Sequence, residues 1–247
     1  MTVLAIAAKE LELYFTSFLF YALAAVFLVL AGYFFSTSLF FFVEMGGMVP
    51  HLGLWQWHFL RMQELLLVLV PLLTMRLFAE ERKLGTLELL WTYPVRDVEI
   101  IAGKFLACLA VITLMLGATV LYPVLLARFH AVDVGPLVAG YLGLWLLAAA
   151  FVACGLTISA LTESQLLAGA ATYGLLLFFW VITWNEAAVN EVTLHLLVPF
   201  SLFDRFYTFA RGAVDTKDVS YLLLFTIAFL SFGLFTLDTR RWRGIRR

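Results

Sequence analysis

The chain has 247 residues with 16 basic and 17 acidic side chains, so that only 13% are charged, against about 25% in soluble globular domains. With 64% hydrophobic residues and a mean hydropathy of +0.99, a water-soluble fold would need more interior than this length can enclose. The reading is an all-α membrane protein. A net charge of −1 excludes a phosphate-reading surface, which needs a basic excess, so no nucleic-acid partner is expected.

Residues 2–15 place Leu4, Ala8, Leu11 and Phe15 at helical spacing opposite Lys9, Glu10 and Glu12. This predicts a short amphipathic helix lying in the membrane interface, with a plain extension of the first span as the alternative. Residues 13–43 contain no Asp, Glu, Lys or Arg. The run is far longer than the core of a cleavable signal, about 7–15 residues, and is expected to stay as a first span over about 17–42.

A second span is less obvious, because residues 65–75 form a short apolar run between Glu64 and Arg76. It reaches full length over about 60–78 if Arg61, Gln63 and Glu64 sit near one interface and Arg76 snorkels at the other. Glu64 can pair with Arg61 one turn earlier, which reads as anchoring rather than transport chemistry. Basic residues do not decide the matter, since six spans with both termini inside and five spans with the amino terminus outside each put eleven inside and five outside. Hydrophobicity decides it, because five spans would strand residues 65–75 in an aqueous loop. Six spans with both termini cytoplasmic are expected.

Between the second and third spans, residues 76–97 are the most polar stretch, with a candidate coupling segment over 79–97. Gly85 can end the helix continuing from the second span, Thr86 can cap a new one with Glu88 in its first turn, and Pro94 stops it. Asp97 can then cap the third span. The result is a stubby cytoplasmic helix carrying Leu87, Leu89, Leu90, Trp91 and Tyr93, either a plug for a groove on a soluble partner or an interfacial helix on lipid headgroups.

The remaining spans are expected over about 100–127, 137–161, 165–184 and 219–238. Pro71 and Pro123 can kink the second and third. Ala153, Gly155 and Ser159, with Ala170 and Gly174 on the next span, suit close helix packing, a dimer contact being the alternative. The outer segment 185–218 contains an apolar stretch, 192–203, interrupted by Pro199; it is too short to cross and either re-enters the outer leaflet or lies flat.

Catalytic motifs are missing. Cys108 and Cys154 fall mid-span without metal-ligand spacing and read as packing residues. His51, His58, His130 and His195 are isolated and fall in predicted outer segments. Residues 102–104 lack the upstream glycine and the following hydroxyl of a phosphate loop, so ATP is not expected to be hydrolysed by this chain. The five long apolar runs hold no charge, which argues against an ion-coupled transporter and an intramembrane enzyme.

The stretch MRLFAEERKLGTLELLWTYPVRDVEIIAGK, ending at Lys104, resembles the cytoplasmic loop of type-2 ABC exporter permeases, in which an E-E-x-x-x-G-T-x-E-x-L pattern precedes a proline and then a G-K pair. The resemblance extends to residues 155–165 and to 203–215 with Arg211-Gly212, covering nearly the whole chain. It is nearest to the small six-span gliding-motility-type permeases, with copper-site maturation permeases as more distant relatives. The resemblance implies a half-transporter of the bacterial inner membrane that pairs with a second copy or a paralogue. It also implies that a separate cytoplasmic ABC ATPase docks on a coupling helix over about 86–92, supported by the interfacial helix. ATP and Mg would then belong to that ATPase, and no cofactor to this chain. Glu80, Glu81, Gly85, Thr86, Glu88 and Pro94 are carried over from the pattern, with Leu87, Leu89, Leu90 and Trp91 as the apolar contacts. The competing function is a non-transporting membrane scaffold that anchors a motility or assembly complex.

Overall fold

Runs of Leu, Phe, Val and Ala in lipid leave the backbone no partner but itself, and the chain answers with helices. A computed structural model describes residues 2–44, 53–85, 96–129, 133–181 and 201–244. In chain order the helices are α1 (Thr2–Thr16), α2 (Phe18–Glu44), α3 (Leu54–Thr74), α4 (Ala79–Lys83), α5 (Asp97–Thr119), α6 (Leu121–Leu126), α7 (Val134–Leu161), α8 (Gln165–Val181), α9 (Leu202–Ala210) and α10 (Thr216–Gly244). Among the described residues there is no strand, and the protein is an all-α membrane protein. Five stretches are long and apolar enough to cross a bilayer: α2, α3 with α4, α5 with α6, α7, and α10 as far as Thr239. The apolar α8 has 17 described residues.

The spans differ in where their apolar surface goes. α7 is the central helix, its side chains buried on all sides from Leu146 to Leu156 against α3, α5, α8, α9 and α10. Its small residues allow close approach: any Cβ at Gly140 would enter the Phe59 ring, and one at Gly143 would meet Phe209 and Phe206. α2 and α10 sit at the periphery, where Val29, Phe40, Leu224 and Phe235 are exposed.

Two helix breaks follow from proline chemistry. Pro123 has no N–H, so the Thr119 carbonyl loses its i→i−4 partner and the helix divides into α5 and α6 at Val120. The Thr119 hydroxyl, at 3.1 Å from the Tyr141 hydroxyl and donating to the Leu116 carbonyl, stitches the break to α7. Pro71 lies in the last turn of α3, which ends at Thr74, one turn short of α4.

At the end of the bundle where α7 begins, α9 lies across it with Phe206 and Phe209 fully buried. Ser201 caps α9 by accepting from the Asp204 N–H at 3.2 Å, and Arg205 pairs with Asp218 of α10 at 2.9 Å. Gly212 turns the chain with φ +84, a value that suits glycine.

Candidate functional site at the α4 end of the bundle

Three chemically different anchors hold the break between α3 and α4. The first is a buried ammonium. Lys104, on α5 and 1% exposed, donates to the Glu10 carboxylate of α1 at 2.7 Å and to the Leu77 carbonyl at 2.7 Å. It lies 3.0 Å from the Glu81 carboxylate of α4. An ammonium has three protons, and here each has an acceptor. The Phe78 ring stands 5.1 Å from the same nitrogen, adding a cation–π contact. Removing one partner from such a group costs about 3–5 kcal/mol, because the remaining charge is stranded out of water.

The neighbouring residue explains how α1 comes within reach. A Cβ at Gly103 would lie 2.7 Å from the Ile6 side chain and 3.1 Å from the Val3 carbonyl oxygen. The bare glycine therefore lets the α1 backbone rest on α5, and the next residue locks it there by charge. The G-K pair and the second Glu of the E-E pattern are two ends of one clasp.

The first Glu makes a second anchor. Glu80 pairs with Arg76 at 2.8 Å, and Arg76 also donates to the Ser17 hydroxyl at 3.0 Å, at the junction of α1 and α2. Tyr14 donates to the Leu73 carbonyl at 3.0 Å. Burial pushes its phenol well above the ordinary value, so it remains a donor.

A third anchor comes from the far end of α7. The Ser159 hydroxyl oxygen accepts from the Phe78 and Ala79 N–H groups, both at 3.1 Å, and donates to the Met75 carbonyl at 3.2 Å. These are the backbone groups that a helix break leaves without partners. Gly155, one turn earlier, packs directly on Thr74. Arg82 donates to the Ala160 carbonyl at 3.0 Å and reaches Glu163 at 3.5 Å, an acid that is 73% exposed. Between α1 and α4 lies a cleft of about 320 Å³, floored by Leu13, Leu77 and Leu84 with Lys9 and Arg76 among its walls.

Of the sequence-derived candidates, Glu80 and Glu81 turn their carboxylates to cations within the chain. Gly85 follows α4 with φ +70 and donates its N–H to the Arg82 carbonyl at 3.1 Å, a left-handed C-terminal cap. Thr86, Leu87, Glu88, Leu89, Leu90, Trp91 and Pro94 lie outside the described residues, as do residues 182–200 of the outer segment. The third span opens with Arg96 rather than Asp97 at the cap, the Arg96 N–H donating to Glu99 at 3.0 Å. Arg61 and Glu64 pair at 2.9 Å. Ala153, Gly155 and Ser159 are buried, whereas Ala170 and Gly174 lie on the exposed face of α8.

Sequence reasoning missed two features. It set Glu10 on the solvated side of α1, but the buried face is Ala7 and Glu10, with Leu4 and Phe15 exposed. A hydrophobic stripe cannot reveal a carboxylate that faces inward toward an ammonium 94 residues away. His58 was placed in an outer segment; α3 begins at Leu54, and His58 is buried in it, ringed by Phe35, Trp55, Phe59 and Tyr122. Cys108 and Cys154 are buried free thiols on α5 and α7.

The family profile described as ABC-2 family transporter protein matches residues 4–242, and the chain belongs to that family, as the permease component of an ABC transporter. No curated protein matches the chain.

Proposed function

We propose that this chain is one membrane half of an ABC exporter, pairing with a second copy or a related permease and docking a separate cytoplasmic ATPase through the coupling segment 79–97. The family match over residues 4–242 carries the reading. The polar network supports placing the coupling there, because residues 86–95 join the two helices, α4 and α5, that Lys104 ties together. In this reading Thr86, Glu88 and Pro94 shape the coupling helix, while Leu87, Leu89, Leu90 and Trp91 fill a groove on the ATPase. Glu80, Glu81 and Gly85 hold its root.

The α4 end faces the cytoplasm of a bacterial inner membrane. Two observations support both termini lying on that side: Ser17 bonds Arg76 there, and Gly233 of α10 approaches Thr157 and Ile101. ATP and Mg belong to the ATPase subunit, whose closure moves the coupling helices and switches the cleft between the two permeases.

The test is to purify the permease with its ATPase, reconstitute the complex, and compare it with a deletion of residues 86–92 and with Glu88→Arg. Complex formation and permease-dependent ATP hydrolysis should both be lost. Retention of both would refute the coupling assignment. ATP-driven conformational change without flux of any candidate substrate would favour the membrane scaffold instead.

A further inference from the structure

We infer that the cleft between α1 and α4 is a binding site for one zwitterionic phospholipid with a primary ammonium, of the phosphatidylethanolamine class. Its phosphate lies between Lys9 and Arg76, its ammonium faces the carboxylates of α4, and an acyl chain runs along Leu13 and Leu84. Such a site belongs to the permease alone and stands apart from the coupling of an ATPase.

Size and apolarity point to an amphiphile. The cleft holds about 320 Å³, inside the range of roughly 300–1,000 Å³ usual for small-molecule sites. Leu13 and Leu84, both lining it, are 53% and 68% exposed. The same apolar exposure continues along α1 at Leu4 and Phe15 and reaches Phe18, the first residue of α2. Apolar surface of that extent at the root of a membrane span is solvated by lipid, so the cleft opens where an acyl chain is at hand.

Charge selects the headgroup. The clasp sets two carboxylates, Glu10 and Glu81, against the single ammonium of Lys104 and so carries one negative charge in excess. Glu80 and Arg76 balance each other. The compensating positive charge is Lys9, which is exposed and has no ionic or hydrogen-bond partner among the described residues. Arg76 adds donors to that pole, because a guanidinium has five N–H groups and three of them are spent on Glu80 and Ser17. An anionic amphiphile would satisfy Lys9 but meet the carboxylate excess, and a cationic one would do the reverse. A zwitterion answers both poles. A primary ammonium donates hydrogen bonds to carboxylate oxygens, whereas a trimethylated one has no N–H to give.

The test uses the purified permease in detergent, titrated separately with phosphatidylethanolamine, phosphatidylcholine and phosphatidylglycerol of identical acyl chains. Native mass spectrometry counts bound lipid, and thermal unfolding is followed in parallel. One phosphatidylethanolamine per chain should bind about fivefold more tightly than either of the others and raise the unfolding midpoint. Lys9→Gln should remove up to about fivefold in affinity, the most that an exposed ion pair is worth, and Leu13→Asn should weaken binding as well. Both positions are exposed, so the lipid-free midpoint should stay where it is. Lys217→Gln, at an exposed lysine at the start of α10, should bind as wild type does.

Equal affinity for the three lipids overturns the inference, as does Lys9→Gln binding like wild type. Equal losses in Lys9→Gln and Lys217→Gln would reduce the effect to general attraction between lysines and headgroups, and overturn it too. Glycerophosphoethanolamine, which has the headgroup and no acyl chain, should not displace the lipid at equal concentration; displacement would make the site one for a soluble phosphate. A photoreactive side chain at Leu84 should cross-link to phosphatidylethanolamine, and cross-linking to residues 86–95 instead would show that the chain itself fills the cleft.

Discussion

The two ends of α3 treat buried polar groups in opposite ways. At the α4 end, Lys104, Arg76, Ser159 and Tyr14 each meet partners on another helix or helix junction. At the α9 end, α3 buries Gln56, His58 and Gln63, yet the Gln56 amide nitrogen, both His58 ring nitrogens and both Gln63 amide atoms have no hydrogen-bond partner among the described residues. The first end is a finished joint, where polarity fastens three helices. At the second, the same polarity is set among aromatic and aliphatic side chains, where a polar group that keeps no partner costs about 1–3 kcal/mol. Burial alone therefore does not tell whether a polar residue stabilises this protein; its partners do.

The sharpest way to break this comparison is to remove the ammonium. Lys104→Met should destabilise the purified permease by about 3–5 kcal/mol, since Glu10 and Glu81 lose their common counter-ion. Thermal unfolding in detergent measures this, and an unchanged midpoint would mean that the clasp carries no stability. Ser159→Ala comes next, at about 1–3 kcal/mol, because the Phe78 and Ala79 N–H groups lose their acceptor. Hydrogen exchange at those two amides should rise with it.

Gln63→Leu tests the other end and should act in the opposite direction, raising stability by about 1 kcal/mol as an unpaired amide is replaced by an apolar group of similar size. Destabilisation would show that Gln63 is satisfied in the folded protein, and the contrast between the ends would fail. The smallest effect belongs to the pair near the α9 end: a double-mutant cycle on Arg61 and Glu64, each 38% exposed, should give a coupling of about 0.2–1 kcal/mol.

Much of the architecture was legible in residue order, and particular residues show why. Pro123 predicted a disturbance in the third span, and the helix divides at Val120 because a missing N–H is a local property. Gly85 predicted a helix end, and its φ of +70 follows from a preference of the residue itself. The E-E and G-K patterns marked the region of interest, but not what their side chains do. Glu81 and Lys104 are 23 positions apart and Glu10 lies 94 positions from Lys104, so their meeting depends on how α1 lies against α5. The same reason hides His58, which precedes the predicted second span and so reads as part of an outer segment, although α3 starts early enough to bury it.

Composition and the lengths of the apolar runs, taken alone, determined that this chain is a helical membrane protein, since transfer to lipid is summed over residues and backbone groups there must pair locally. The tertiary structure alone decided that α7 is the centre, that α1 is clasped to α4 and α5 through Lys104, and that one end of α3 buries polar groups without partners among the described residues. Those outcomes depend on which faces meet in three dimensions, and a buried charge becomes an anchor or a burden only when the helices that surround it are in place.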